Sequence, residues 1–290
     1  MTSTGVVQAI QIHPIKSCHR IEVTSATVSA TGLAGDREWQ VSAGKAPVTQ
    51  RQKTLLATVV PTPIDGGLRL TAPGRPTLEV ARPTANDAVT GSLIGVQVEV
   101  GDAGDEAARW FSDLVGDDVR LHAMTERSRL DLPEALDVFG QPIAFGDVAP
   151  VLVTNTASCD WLAARAVEPF GMERFRPNLV VATDEPWAED TWRRFSLGDA
   201  QLVHGMAWPR CTIPQVDQET GERHREPARV LKAHRWCTEA PGLGDVLRSI
   251  VEKKGLFGIG CSIGPIGTVV TVGDRLEVHE TAPPLIAAPS

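Results

Sequence analysis

The chain has 290 residues, 42% of them hydrophobic and 22% charged, and a formal net charge of −8 at pH 7. That length and balance belong to a globular protein of two domains or one large one. An acidic chain lacks the basic footprint of a nucleic-acid binder, and no apolar run reaches the roughly 18 residues of a membrane span.

There is no charged-then-apolar signal start, so the expected location is cytoplasmic. The five cysteines, Cys18, Cys159, Cys211, Cys237 and Cys261, are odd in number and widely scattered. No disulfide framework is expected from them. No CxxC pair is present for a zinc ribbon or an iron–sulfur cluster, so an electron-transfer cluster would have to come from another protein.

The 26 glycines and 21 prolines punctuate the chain often, which favours short strands over long helices. Strands are expected over 6–12, 21–30 and 38–42, with a two-glycine turn at 31–37. Further short strands are expected over 55–61, 68–71, 77–80 and 96–100, a spacing that suits a small antiparallel barrel or sandwich. Residues 102–114 read as a helix stopped by Gly116, and 119–123 as a strand. Residues 125–140 read as an extended linker, and the domain boundary is placed there.

The second half opens with a buried strand at 151–154, then a helix over 156–167 and a strand at 179–181. An acidic turn at 186–192 precedes a strand-turn-strand over 195–202. A helix is expected over 227–234, and residues 255–278 end the fold. Residues 281–290 read as a loose tail. The expected class is α+β, mostly β, with domains 1–124 and 125–280.

The chemistry centres on 208–217. Pro209 and Pro214 bracket Arg210 and Cys211, and proline suits neither a helix interior nor a central strand, so a rigid loop is expected. A neighbouring guanidinium favours the thiolate, which can be a soft metal ligand or a nucleophile; a half-buried structural cysteine is the plain alternative. Lys16, Arg37, Arg51, Arg176 and Arg210 all fall on turn-like segments between strands. Gathered together they would suit a phosphate or pterin-type anion, with Ser17 and Asn178 adding neutral hydrogen bonds; singly each is a solvated surface residue. His13, His204 and His234 lack metal-ligand spacing. No GxSxG, P-loop or GxGxxG is present.

Several stretches, in order, carry a resemblance. They are His13-Pro14-Ile15-Lys16-Ser17-Cys18, Gly35-Asp36-Arg37-Glu38-Trp39, Arg51-Gln52, Gly146-Asp147-Val148-Ala149-Pro150, Phe175-Arg176-Pro177-Asn178, Ala188-Glu189-Asp190-Thr191-Trp192, Arg210-Cys211 with 217–221, and Gly267-Thr268 with Gly273-Asp274. With them the chain resembles MOSC-domain proteins that carry the MOSC N-terminal β-barrel domain, a group that includes the mitochondrial amidoxime-reducing components and bacterial relatives.

The resemblance implies two β-barrel domains and a molybdenum cofactor. It implies Cys211 as the metal ligand and Asp147 as an acidic residue near the metal. Lys16, Ser17, Arg37, Val148, Ala149, Arg176, Asn178 and Arg210 would hold the molybdopterin. It also brings the pyridoxal-phosphate binding attached to the wider family. The implied activity is reduction of small N-oxygenated compounds, with electrons from a separate iron–sulfur, flavin or haem protein. The rival is a sulfur-transfer or cofactor-carrier role for Cys211, and a third class is a small-anion binding module. Pro209 departs from the serine of the mammalian relatives, and the region of Gly260 and Cys261 lacks their aromatic hydroxyl.

Overall fold

Seven strands close on themselves. In the computed structural model, which describes residues 4–289, they are β1 (Thr4–Ile12), β2 (Val151–Asn155), β3 (Leu179–Thr183), β4 (Trp192–Leu197), β5 (Ala200–Pro209), β6 (Lys254–Gly264) and β7 (Arg275–Thr281). The order around the barrel is β2-β3-β1-β7-β4-β5-β6, and β6 pairs back onto β2. Only β2 and β3 run parallel. Closure leaves no exposed strand edge, so the backbone polar groups of the wall pair internally.

Hydrophobic residues at alternate positions fill the interior: Val7, Leu179, Val181, Phe195, Leu202, Ile259, Cys261 and Leu276 are all buried together. In β1 the alternation slips, because a bulge between Val7 and Ala9 turns Ile10 inward as well.

β1 lies between β3 and β7, so the first residues of the chain complete a barrel otherwise drawn from residues 151–281. The division expected after residue 124 is therefore crossed in space. A second unit packs a five-stranded sheet (Trp39–Ala43, Ala46–Pro47, Ala88–Leu93, Val96–Asp102, Arg120–Ala123) and a three-stranded sheet (Val60–Ile64, Gly67–Thr71, Leu78–Ala81) around α1 (Gly104–Val115). Trp110 and Phe111 bury one face of α1, and Gly116 at φ 72° ends it.

Some expected elements differ. Within 55–61 the chain first makes a 3-10 turn over Thr54–Thr58 and pairs only from Val60. Pro61 and Pro63 then sit on an edge strand, where a missing donor is tolerated. The span 21–30 breaks into Ile21–Val23, paired with β1, and Ser25–Ser29, paired with Val269–Thr271. The strand Ala88–Leu93 is an addition to the expected set, its residues mostly small and the first three exposed; Ile94 and Gly95, both left-handed, turn it into Val96–Asp102.

Residues 125–140 form neither helix nor strand, yet Leu130 and Leu132 are buried against Val98 and Val100. In the second half α2 (Thr156–Ala163) stops short of 167, and α3 (Ala228–His234) lies where expected. An unexpected α4 (Asp245–Val251) precedes β6. Residues 282–289 carry no regular structure, but Leu285 and Ile286 pack on the core and Arg193 and Arg235 donate to the carbonyls of Pro283 and Ala287.

One close approach ties the first turn to the later half. Gly32 has φ +122°, and a Cβ there would stand 2.3 Å from the carbonyl oxygen of Pro150. Gly32→Ala is expected to cost more than about 1 kcal/mol of unfolding free energy. A urea midpoint equal to that of the wild type contradicts this.

Candidate functional site

The segments that leave and enter the barrel build one wall. Pro14 ends β1, and the Lys16 amide donates to the Trp39 carbonyl at 2.7 Å. Residues 145–149 precede β2, residues 175–178 lead into β3, and residues 210–213 follow β5. Together they enclose a cavity of about 270 Å³ lined by Lys16, Ser17, Arg37, Arg51, Gly146, Asp147, Val148, Ala149, Leu152, Phe175, Arg176, Asn178, Trp208, Pro209, Arg210, Cys211, Ile213, Ile250 and Lys254. Every candidate residue named from the sequence lines it. Among the described residues, Ser17 (φ 66°), Arg37 (φ 50°) and Arg176 (φ 52°) account for three of the six non-glycine residues at positive φ. Strained backbone of this kind persists where surrounding contacts enforce it.

The Lys16 ammonium donates to the carbonyls of Phe145 (3.0 Å) and Gly146 (3.2 Å) and to Asp147 Oδ1 (2.7 Å), which fixes the 145–147 loop. That ammonium outweighs burial and holds the Asp147 carboxyl well below the usual carboxylate range. The Arg37 guanidinium pairs with Asp36, donates to Asn178 Oδ1 at 3.1 Å and donates to the Arg176 carbonyl at 3.0 Å. Burial works against the Asp36 carboxylate, but Arg37 and His13 beside it keep its pKa low. Burial, with Arg176 and Arg37 nearby, pushes His13 well below its ordinary value, so the imidazole is neutral. The Asn178 amide is spent on the protein, accepting from the Leu152 amide at 3.1 Å and donating to the Gln11 carbonyl at 3.3 Å.

Arg176 and Arg210 are different. Arg176 donates from Nη1 to Gln218 Oε1 at 2.8 Å, and Arg210 donates from Nη2 to the Phe175 carbonyl at 2.7 Å. Arg176 Nη2 and Arg210 Nε and Nη1 are buried without a partner among the described residues. Neither residue has a carboxylate partner among the described residues. Burial pushes Arg176 down to about 9, aided by Arg37, and Arg210 down to about 10. Both are still cations at neutral pH. Buried donors of this kind cost free energy unless something accepts from them.

Cys211 is the one exposed cysteine; the other four are buried, and burial pushes the Cys18 and Cys159 thiols up to about 12. The Ile213 amide donates to its sulfur at 3.4 Å. Burial works against the Arg51 guanidinium, but the Cys211 sulfur and Asp147 raise its pKa. Cys211 itself follows the end of β5, as a loop residue. Trp208 and Pro209, expected on the same loop, are instead the last residues of that strand. The register shifts between Ala207 and Pro209, and such an irregularity accommodates a residue with no N–H.

The family model for the MOSC N-terminal beta barrel domain matches residues 4–118, and that for the MOSC domain matches residues 140–277. The chain belongs to the MOSC family. It is 31% identical to mitochondrial amidoxime reducing component 2 of Rattus norvegicus and 33% identical to that of Bos taurus, each over 94% of this chain and 83% of the relative. It is 30% identical to mitochondrial amidoxime-reducing component 1 of Homo sapiens over the same shares.

The lining residues that sequence reasoning did not single out as site residues are Gly146, Leu152, Phe175, Trp208, Pro209, Ile213, Ile250 and Lys254. Ile250 and Lys254 come from α4 and the start of β6, about forty residues beyond Cys211, and no local motif marks them. Lys16→Met should release the 145–147 loop and raise the Asp147 pKa toward the ordinary carboxylate value of about 4. Because the wild-type pKa lies lower, the stability this pair adds is present above that value and is lost as pH falls toward the folded one. Carboxyl NMR titration checks it; an Asp147 that titrates alike in both proteins contradicts the assignment.

Proposed function

We propose that this cavity holds a molybdenum cofactor and that the protein reduces small N-oxygenated compounds such as amidoximes or hydroxylamines. The observation that carries the reading is the convergence of the exposed Cys211 thiol with the unpartnered guanidinium N–H groups of Arg176 and Arg210 in one cavity. Guanidinium forks match phosphate oxygens, so these donors suit the pterin phosphate. The family and the named activity of the relatives agree with this.

Cys211 would be the protein's ligand to molybdenum, since a thiolate is a soft ligand. Among the described residues no three His, Cys, Asp or Glu side chains gather around a metal position, so the remaining ligands would come with the pterin. The bound cofactor would supply the two electrons that remove oxygen from nitrogen. Ser17 and the backbone of Val148 and Ala149 line its place; the amides of both have no backbone acceptor among the described residues. Lys16, Arg37 and Asn178 act mainly by fixing the loops that carry these groups. Asp147, kept ionised by Lys16, presents an acceptor to substrate N–H or O–H groups. Its low pKa makes it a poor proton donor, so the protons that leave as water come from solvent.

The electrons would come from a separate iron–sulfur, flavin or haem protein. The exposure of Cys211 beside Arg51 favours one other reading, in which a nucleophilic thiolate carries sulfur.

Protein from a host that makes the cofactor should carry molybdenum and pterin in equal amounts. Arg176→Ala should lower retention on the order of tenfold, the worth of a charge-assisted hydrogen bond. Zinc or no metal in the wild type, or unchanged retention in the variant, contradicts the proposal. Alkylation separates the two readings: a metal-bound Cys211 is labelled slowly in the holoprotein, whereas a persulfidated or rapidly labelled Cys211 in cofactor-replete protein supports sulfur transfer.

A further inference from the structure

The cavity lining combines two chemistries. It holds cations, among them Arg176 and Arg210 with their free donors. It also holds Trp208, Pro209, Ile213 and Ile250, all half-buried. The Ile213 amide donates to the Cys211 sulfur at 3.4 Å, so part of the apolar lining stands at the thiol. A molecule that reacts next to Cys211 therefore meets apolar surface as well as cations.

Trp208 is the largest of those apolar groups, and its place is fixed from behind. A Cβ on Gly260 would meet Trp208 Cε3 at 2.7 Å, Trp208 Cζ3 at 2.8 Å and the Ala149 Cβ at 3.0 Å. The benzo part of the indole thus fills the space that any side chain at position 260 would occupy. Gly260 lies in β6, opposite Met206 of β5, so a barrel wall, not a loop, supports the ring. Trp208 also packs at the margin of a cluster containing Met206, Phe139 and Val251. An aromatic surface held this firmly offers stacking without the cost of ordering it on binding.

Resting on the reductase reading, we infer that Trp208 is a specificity-determining residue. It selects N-oxygenated compounds with a planar aromatic body over small aliphatic ones, and Gly260 sets the space available to that body.

The test uses the full chain loaded with cofactor, without an electron donor, so that binding is measured apart from turnover. Calorimetry compares benzamidoxime with acetamidoxime on the wild type, Trp208→Ala, Trp208→Phe and Gly260→Ala. The wild type should prefer benzamidoxime. Trp208→Ala should reduce that preference on the order of tenfold, and Trp208→Phe should restore most of it. The methyl of Gly260→Ala should push the indole into the cavity and weaken benzamidoxime more than acetamidoxime. Equal binding of the two compounds by the wild type, or an unchanged preference in Trp208→Ala, overturns the inference. A Trp208-dependent preference with no reduction of either compound when a donor is added instead refutes the reductase reading and leaves the platform standing.

Discussion

Two guanidinium groups, Arg176 and Arg210, sit against a cavity with buried N–H donors that no carboxylate among the described residues meets. Taking a charge out of water costs several kcal/mol unless something compensates it. The nearby carboxylates are already committed, Asp36 to Arg37 and Asp147 to Lys16. Gln218 offers Arg176 only a neutral acceptor, and that amide is itself bonded to Gln50, whose own amide donates to the Ser17 carbonyl. The net result is a positive cavity in a chain of net charge −8. Low-dielectric walls concentrate such a field and draw an anion in. Burial, with Arg176 and Arg37 nearby, keeps His13 from adding a further positive charge.

The barrel makes this unfavourable arrangement possible. Lys16 and Ser17 follow β1, Arg176 and Asn178 precede β3, and Arg210 and Cys211 follow β5. Because β1 pairs directly with β3, the first and second of these groups are held by a hydrogen-bonded ladder. Asn178 then joins them crosswise, bonded to Arg37, Leu152 and Gln11. Left-handed backbone at Ser17, Arg37 and Arg176 is a local cost that this scaffold offsets. The second unit contributes Arg51 to the cavity lining, and Arg223 donates to the Arg51 carbonyl at 2.7 Å.

The mostly β class and the residues of the polar wall were legible in the sequence, because turns rich in Gly, Pro and Arg between alternating strands mark the places where loops cluster. The resemblance then supplied Val148, Ala149 and Asp147, whose side-chain types alone point to no ligand. Three things were not legible. Strand pairing is non-local, so nothing in residues 4–12 announces that they complete a barrel made mainly from residues 151–281. A weak strand such as Ala88–Leu93 is held by its partner and not by its own propensity. The apolar wall of Trp208, Ile213 and Ile250 comes from three separate elements, and each residue alone reads as ordinary core.

The central claim is that Cys211 binds the metal of a cofactor whose anionic end meets Arg176 and Arg210. X-ray absorption at the molybdenum edge tests it most directly, on holoprotein and on Cys211→Ser protein loaded in the same host. The account predicts that the wild type shows one molybdenum–sulfur contact more than the serine variant, with the pterin sulfurs common to both. An identical sulfur shell in the two proteins would contradict it.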